Sequence, residues 1–223
     1  MRRQQTKEAG FSLVELVMVI IIIGILAAIG TRKMNDYSEI TKAQNTLAEM
    51  QDITKAIAGD ENLYVDGRRT DFGYIGSNGS LPTNLSDLGN SELETDAWGD
   101  AYGWSKASLT VVSTGNGDSV SVTLYSRGSL VQNDYESNTI NGLVMDVDGL
   151  VPTLPDSVSV VLTYMAGGTT TATVGTSGEY TFTGIPIGNH TIRASYSTQT
   201  VPRFVSVVPE ISSYGVQHVF SSW

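Results

Sequence analysis

The hydrophobic residues of this chain are concentrated in one block near its N-terminus. Residues 11–29 read FSLVELVMVIIIIGILAAI, and Glu15 is the one charged side chain among them. A helix rises 1.5 Å per residue, so this block is about 28 Å long, close to the roughly 30 Å hydrocarbon core of a bilayer. The pattern therefore predicts a membrane-spanning helix.

Beyond the block, apolar side chains recur at steps of three, four or seven residues, the spacing of an amphipathic helix. They are Met34, Tyr37, Ile40, Leu47, Met50, Ile53 and Ile57. No proline interrupts the segment, and Gly59-Asp60 supplies a stop signal. We expect one helix over residues 11–58, whose second half is an amphipathic stem against which a globular body packs.

Residues 59–138 mix turn signals with short apolar runs. Residues 73–82 read as a loop, and Leu85–Leu88 reads as a short helical turn. Leu109–Val112 and Val120–Tyr125, joined through a Gly-Asn-Gly-Asp turn, predict a β-hairpin. Three aromatic residues before the hairpin are expected in the core of this segment rather than in a carbohydrate-binding platform. They are Trp98, Tyr102 and Trp104.

From about residue 139 the pattern is that of short β-strands separated by turns. The candidate strands are Ile140–Val147, Val158–Tyr164, Thr169–Val174, Glu179–Phe182, His190–Tyr196 and Phe204–Val208. Gly167-Gly168 is the clearest hairpin turn. The sequence therefore predicts an α+β chain: a long N-terminal α-helix, a head with a small antiparallel sheet, and an all-β sandwich that is antiparallel.

Charge is distributed unevenly along the chain. The formal net charge is −10, yet residues 1–10 carry +2, so the rest of the chain carries −12. The basic residues precede the apolar block, which keeps the N-terminus in the cytoplasm and sends the remainder across the membrane. An acidic body offers no basic footprint to a nucleic acid, so we expect no nucleic-acid partner.

The residue types that most metal and catalytic sites need are scarce. The chain has no Cys, which excludes disulfides, thiolate catalysis and Cys-ligated metals, and its two His residues are expected on the surface or half-buried. Asp146-Val147-Asp148-Gly149 reads as a turn. Asp134 and Glu136 could offer oxygens to calcium, which needs six to eight, and solvated loop acids are the favoured interpretation. No catalytic motif is present, so we expect no enzyme, no cofactor and no metal.

Two alternatives compete for the N-terminal block. A secretory signal peptide could be cut at Ala28-Ile29-Gly30, although the apolar region exceeds the usual 7–15 residues of such a peptide. A plain membrane anchor would have no use for Glu15, because a carboxylate near a helix centre costs about 2.5–3.5 kcal/mol on insertion scales. Glu15 is therefore a candidate functional residue.

Residues Lys7-Glu8-Ala9-Gly10-Phe11-Ser12-Leu13-Val14-Glu15 resemble the class III signal of type IV prepilins. The resemblance implies that a prepilin peptidase cleaves between Gly10 and Phe11 and methylates the new N-terminus. It also implies that Glu15 pairs with the α-amine of Phe11 in a neighbouring subunit and so sets the axial register. The chain would then lie in the bacterial inner membrane before assembly and in a periplasmic or extracellular filament afterwards, with other pilin or pseudopilin subunits as partners.

Two weaker resemblances concern the rest of the chain. The run Leu81-Pro82 … Asp96-Ala97-Trp98-Gly99-Asp100-Ala101-Tyr102 is similar to the heads of major pseudopilins, with Ala97 where the family usually has Pro. Residues 178–192 resemble carboxypeptidase-regulatory-like domains, with His190 where Tyr is usual, which implies a non-catalytic module.

The expected organisation has four segments: a leader (1–10), a transmembrane or filament-core helix and stem (11–58), an α+β head (59–138) and a β-sandwich (139–223). We expect a structural subunit, minor or specialised, of a type IV pilus or a type II secretion pseudopilus. The alternative is a membrane-anchored or secreted binding or adhesion module that uses the C-terminal sandwich. The sequence leaves open which of the two filaments is built.

Overall fold

The fold is that of a computed structural model, which describes residues 12–124, 129–211 and 213–223. The first element, α1, spans Leu13–Ala58 without interruption. It ends because Gly59 adopts a left-handed conformation (φ 80°) while its N–H donates to the carbonyl of Lys55 at 2.7 Å. A Cβ at Gly59 would collide with the backbone of Asp71. The predicted stop at Gly59-Asp60 is confirmed.

The chain divides into two compact units, and the boundary falls inside α1 after Asn45. In the second unit, Thr46–Trp223, the side chains of Met50, Ile53 and Ile57 are fully buried, as the amphipathic pattern predicts. In the first unit, Met34, Tyr37 and Ile40 belong to the same sequence stripe but are exposed. The stripe therefore becomes a core face only in its C-terminal part.

The head follows α1 and contains short elements. These are β1 (Tyr64–Val65), β2 (Arg68–Arg69), α2 (Gly73–Asn78), a 3₁₀ turn (Leu85–Leu88), β3 (Gly103–Ser105), β4 (Thr110–Ser113), β5 (Val120–Thr123) and α3 (Gln132–Glu136). The predicted helical turn and the predicted β4–β5 hairpin are confirmed, and β3 adds a strand to that sheet.

Residues 73–82 were predicted as a loop, and the structure forms α2 over the first part of them. Asp71 accepts a hydrogen bond from the N–H of Gly73 through Oδ1 at 3.0 Å, which fixes the backbone that leads into α2. A Cβ at Gly73 would lie 2.6 Å from the carbonyl oxygen of Ala56, so α2 begins in close contact with α1. This contact with α1 is not visible in the local pattern of residues 73–82.

The C-terminal region is a sandwich of two sheets. Its strands are β6 (Asn138–Asp146), β7 (Val158–Thr163), β8 (Thr169–Ala172), β9 (Glu179–Ile185), β10 (Gly188–Tyr196), β11 (Gln199–Val207) and β12 (Ser213–Phe220). One sheet has the order β11-β10-β7-β8 and the other β12-β6-β9. The β7–β8 hairpin at Gly167-Gly168 is confirmed. The α+β fold class is confirmed as well.

Two features of the sandwich differ from the expectation. Strand β12 has no counterpart among the predicted strands, and it pairs with β6 in parallel, so the sandwich is not wholly antiparallel. Strand β11 lies in the opposite sheet, so the connection into β12 crosses between the sheets and no hairpin rule fixes the direction of β12.

The sandwich and the head belong to the same compact unit. The side-chain amide of Asn189 donates to the carbonyl of Arg69 at 2.9 Å, and the N–H of Ile187 donates to the carbonyl of Tyr135 at 2.9 Å. These bonds attach the β9–β10 turn to the head. The predicted boundary between head and sandwich at residue 138 stays a prediction.

Candidate functional site

The first candidate site is the N-terminal turn of α1. Ser12 caps the helix: its Oγ accepts a hydrogen bond from the N–H of Glu15 at 3.2 Å, and its carbonyl accepts from the N–H groups of Glu15 and Leu16. The Glu15 carboxylate stands in the first turn, where the positive end of the helix dipole favours an anion. Ser12 was missed at the level of sequence, although Ser-x-x-Glu before an apolar run is a helix-start signal.

The side chains that follow Glu15 form an exposed apolar surface. Over residues 13–29 the large hydrophobic side chains are between 42% (Val19) and 80% (Leu13) exposed. Among the described residues, α1 is the one helix long and apolar enough to cross a membrane. So large an exposed apolar surface is typical of a segment that lies in a membrane or against other protein.

The other two predicted site residues, Gly10 and Phe11, lie outside the described residues. The structure therefore gives the position of Glu15 alone. Its relation to the predicted cleavage point stays a prediction.

The second candidate is the loop before β3, which is organised by a buried carboxylate. Asp96 accepts hydrogen bonds through Oδ1 from the N–H groups of Trp98 (3.0 Å) and Asp100 (2.9 Å), and through Oδ2 from the hydroxyl of Ser113 (2.6 Å). Burial alone would raise the pKa of Asp96, but these hydrogen bonds outweigh it and hold the pKa below its ordinary value. The carboxylate therefore fixes the loop in one conformation.

This loop attaches to α1 at two points. The N–H of Ala97 donates to Oγ1 of Thr46 at 3.2 Å, and the hydroxyl of Tyr102 donates to Oε2 of Glu49 at 2.7 Å. A Pro at position 97, as in the family that this run resembles, would have no N–H to donate. The hydrogen bond to Thr46 therefore requires a residue other than Pro at position 97, and this chain has Ala there.

The positions of two aromatic residues of this loop agree with the predicted role in the core of the head. Tyr102 is buried, and the indole N–H of Trp104, which is half-buried, donates to the carbonyl of Pro82 at 3.0 Å. Both polar ring atoms are thus used inside the protein, which supports the core interpretation.

The acidic residues considered for calcium have protein partners. Asp134 Oδ2 accepts from the N–H of Val131, and Glu136 accepts from the N–H of Leu81, from the side chain of Gln132 and from Lys106, all at 2.7 Å. Burial would raise the pKa of Glu136, and these partners lower it. Within the described ranges no group of three His, Cys, Asp or Glu side chains could hold a metal ion.

The expectation of surface or half-buried histidines is wrong: His190 is 1% and His218 0% exposed. Nδ1 of His218 donates to the carbonyl of Val201 at 2.9 Å, and Nε2 accepts from the hydroxyl of Tyr180 at 2.8 Å. Burial lowers the pKa of His218 to about 4 and lowers that of His190 as well. Both rings lie at strand positions that face the sandwich interior. The ring of His190 also uses both nitrogens: Nδ1 accepts from the N–H of Met165 at 3.2 Å, and Nε2 donates to the carbonyl of Pro186 at 2.8 Å.

The predicted turn at Asp146 is confirmed. Its Oδ1 accepts from the N–H groups of Asp148 (3.0 Å) and Leu150 (2.9 Å), and Gly149 has a φ of 77°. A carboxylate that accepts hydrogen bonds from backbone N–H groups two and four residues later stabilises a turn.

The N-terminal segment is matched by a known family. The family described as the prokaryotic N-terminal methylation motif matches residues 5–31. The type IV major fimbrial protein FimA of Dichelobacter nodosus is 35% identical over 69 residues, which are 31% of this chain and 41% of that protein. The chain thus matches less than half the length of this relative.

Several solved structures share a limited likeness with the chain. A DUF3823 family protein from Parabacteroides merdae has a TM-score of 0.29 at 10% identity, covering 38% of this chain and 45% of that one. A putative carbohydrate binding protein from Pseudomonas aeruginosa has a TM-score of 0.28 at 16% identity, covering 39% and 90%. The Bacillus anthracis TIE protein has a TM-score of 0.32 at 11% identity, covering 47% and 21%. We draw no conclusion about function from likenesses at this level.

Proposed function

We propose that this chain, which carries the N-terminal methylation motif, is a pilin-type structural subunit of a type IV pilus or of a type II secretion pseudopilus. The motif and the fimbrial relative support the broader assignment of a pilin-type subunit. The same likenesses point to a structural protein rather than an enzyme. One observation carries the proposal: the methylation motif, residues 5–31, includes the start of a 46-residue helix whose N-terminal apolar side chains are exposed.

The proposed maturation is cleavage by a prepilin peptidase. Water would hydrolyse the amide bond between Gly10 and Phe11, leaving a carboxylate on Gly10 and a free amine on Phe11. That amine would then attack the methyl group of a sulfonium methyl donor, which leaves as a thioether, and would lose a proton. The ten-residue leader would be removed, and the apolar segment would stay on the mature chain. A class III signal and an apolar helix near the N-terminus fit anchoring in the inner membrane before assembly.

In the proposed filament, Glu15 has a specific partner. A carboxylate that enters an apolar bundle of helices without a cation stays uncompensated, which costs several kcal/mol. By the resemblance to the type IV prepilin signal, this cation would be the α-amine of Phe11 in a neighbouring subunit. The pair would fix the axial register of one subunit on the next, while the second unit, Thr46–Trp223, provides the filament exterior.

The sandwich supports the narrower proposal of a minor or specialised subunit. Residues 139–223 add a second β-body to the head, and its surface is available for contacts that a smaller head cannot make. In this proposal the chain has the four segments that the sequence predicts, with boundaries after residues 10, 58 and 138.

The test is the mass and N-terminal sequence of the mature chain, expressed from its full sequence with and without a prepilin peptidase. We expect a chain that starts at N-methyl-Phe11 only when the peptidase is present. Replacing Gly10 by a large residue should abolish the cleavage, whereas replacing Gly24, inside the apolar segment, should leave it unchanged. A mature chain that starts at Thr31 would identify a conventional signal peptide, and an intact Met1 in the presence of the peptidase would identify a plain anchor.

A second candidate function is a membrane-anchored or secreted binding module. Its support is the sandwich itself, whose β12-β6-β9 sheet carries a groove on its outer face. The two functions are compatible, because a filament subunit can expose a binding domain.

A further inference from the structure

The sandwich has a groove on the outer face of its β12-β6-β9 sheet. The groove has a volume of about 850 Å³ and is lined by side chains from all three strands, with Arg203 of β11 at its rim. A volume of this size lies within the range of small-molecule binding sites, roughly 300–1,000 Å³. Nothing in the assembly role of α1 uses this surface.

The floor of the groove is formed at Gly215 by the backbone alone, because glycine has no side chain. This residue lies within β12, opposite Asn141 of β6, in a regular parallel register without a bulge. Its φ is not in the left-handed region, and a Cβ built on it would meet no atom within 4 Å. Neither conformation nor packing therefore requires glycine here. A glycine inside a strand marks a bulge, a bend, or a site where a ligand or another backbone approaches closely, and the regular register at Gly215 leaves close approach as the explanation.

A fixed row of polar groups crosses the sheet beside Gly215. The amide nitrogen of Asn141 donates to Oγ of Ser213 at 3.1 Å, and its Oδ1 accepts from the hydroxyl of Thr181 at 3.0 Å. These bonds hold the three side chains in defined orientations and leave each with further capacity for hydrogen bonds. The row thus presents preorganised neutral donors and acceptors.

Apolar and charged groups complete the lining. Leu143 and Val219 add apolar surface, and the exposed side chain of Gln217 adds a second neutral amide. Arg203 is held at the rim because its Nε donates to the carbonyl of Gln217 at 2.9 Å. Its charge is balanced by that of Glu179, so the groove as a whole favours neither anions nor cations.

We propose that this groove binds a neutral oligosaccharide. Sugar hydroxyl groups both donate and accept, which suits the amides and hydroxyls of the lining, and the C–H face of a sugar ring can lie on Gly215, Leu143 and Val219. An extended peptide that adds as a strand would pair along the backbone edge of β12 or β9, whereas the groups of this groove stand on the face of the sheet. An acidic body disfavours nucleic acid.

Weak binding by one groove would be sufficient in a filament. Multivalent display raises the apparent affinity by about 10²–10⁴ when the sites can engage together. The groove itself does not depend on the filament proposal, because it is formed by one chain.

The test uses the full chain in a zwitterionic detergent without sugar head groups. Three neutral hexasaccharides serve as probes: maltohexaose, cellohexaose and chitohexaose. We expect saturable binding of at least one of them by saturation-transfer NMR, with a Kd on the order of 1 mM or tighter. Gly215→Trp fills the groove and should weaken that binding by about tenfold or more.

A matched control places the same large side chain on the other sheet. Thr169→Trp, at an exposed position of β8, should leave the Kd within about twofold of the wild-type value. A second variant, Gln217→Ala, removes one polar contact without filling the groove and should weaken binding by about threefold or more. Thermal unfolding of each variant checks that the fold is retained. Binding that survives unchanged in Gly215→Trp would overturn the proposal, as would the absence of binding to all three hexasaccharides. If no sugar binds and Gly215→Trp instead abolishes self-association, the groove belongs to a contact between copies of the chain.

Discussion

The hydroxyl of Tyr102 donates a 2.7 Å hydrogen bond to Oε2 of Glu49, a residue on the third turn of α1 from its C-terminal end. Thr46, three residues earlier and so on the same face of the helix, accepts from the N–H of Ala97. Together the two bonds fasten the loop organised by Asp96 to the helix. They lie at the start of the second unit, where α1 becomes part of a folded core.

The bond between Tyr102 and Glu49 should contribute measurably to stability. Tyr102→Phe keeps the ring and removes one donor to a carboxylate, so the free energy of unfolding should fall by about 1.5–3 kcal/mol. The measurement is urea unfolding followed by Trp fluorescence. Tyr64→Phe is the matched control, because Tyr64 is exposed, and its unfolding free energy should change by less than about 0.5 kcal/mol. Equal effects of the two substitutions would contradict the role of this bond.

Glu15 should be needed for assembly and not for membrane insertion. Glu15→Leu removes the one carboxylate of the apolar segment, so the chain should insert into the membrane at least as well as the wild type but fail to enter filaments. Immunoblots of membrane fractions and of sheared filaments measure the two steps separately.

Asp36→Leu is the matched control for Glu15→Leu. Asp36 is another exposed carboxylate of α1, beyond the apolar segment, and its replacement should leave incorporation within about twofold of the wild type. Normal filament incorporation of Glu15→Leu would refute the proposed pairing with Phe11.

Two glycines of one sheet should respond in opposite ways to the same substitution. A Cβ at Gly142 would collide with the ring of Tyr180, which is buried and bonded to His218, so Gly142→Ala should lower the free energy of unfolding by about 1–3 kcal/mol. A Cβ at Gly215 meets open space, so Gly215→Ala should leave stability unchanged or raise it by up to about 1 kcal/mol. Thermal and urea unfolding of both variants measure the difference, and a stable Gly142→Ala would show that the Tyr180 ring can move.

The buried histidines should make the fold sensitive to mild acid. The pKa of His218 is about 4 in the folded chain, against an ordinary value of 6.5. Between these values the unfolded chain binds more protons, so stability falls as the pH decreases from about 6.5 towards 4, by a total on the order of 3 kcal/mol. His190, whose pKa is also lowered by burial, acts in the same direction.

Urea midpoints at about pH 7.5 and about pH 5 test this dependence. His218→Gln should reduce the slope of stability against pH in this window, even though it also lowers the stability itself. Asp96 and Glu136 act in a lower window, because carboxyl groups with a lowered pKa lose their contribution only below their ordinary values of 3.8 and 4.5. A midpoint that does not change between the two pH values would contradict the burial of neutral histidine.

Local patterns predicted the elements that depend on neighbours in sequence. The end of α1 at Gly59 and the hairpin turn at Gly167-Gly168 were both predicted, because turn and helix-stop geometry is set by the residues at the turn. Strand β12 was missed because its polar–apolar alternation breaks at His218-Val219, where a polar side chain faces the interior and an apolar one faces outward, and because its burial depends on β6 and β11. The burial of His218 was missed for a related reason: its partners, Tyr180 and Val201, are distant in sequence.

The sequence by itself determined the N-terminal part of this protein. Nineteen residues with one carboxylate, preceded by basic residues, specify a membrane-length helix and match the N-terminal methylation motif, because hydrophobic length and local motif are properties of contiguous residues. Only the tertiary structure decided which face of α1 meets the head, how Thr46 and Glu49 hold the Asp96 loop, and that Gly215 lies at the floor of a groove. Each of these depends on contacts between residues far apart in the chain, and such contacts form only when the sheets and the helix pack together.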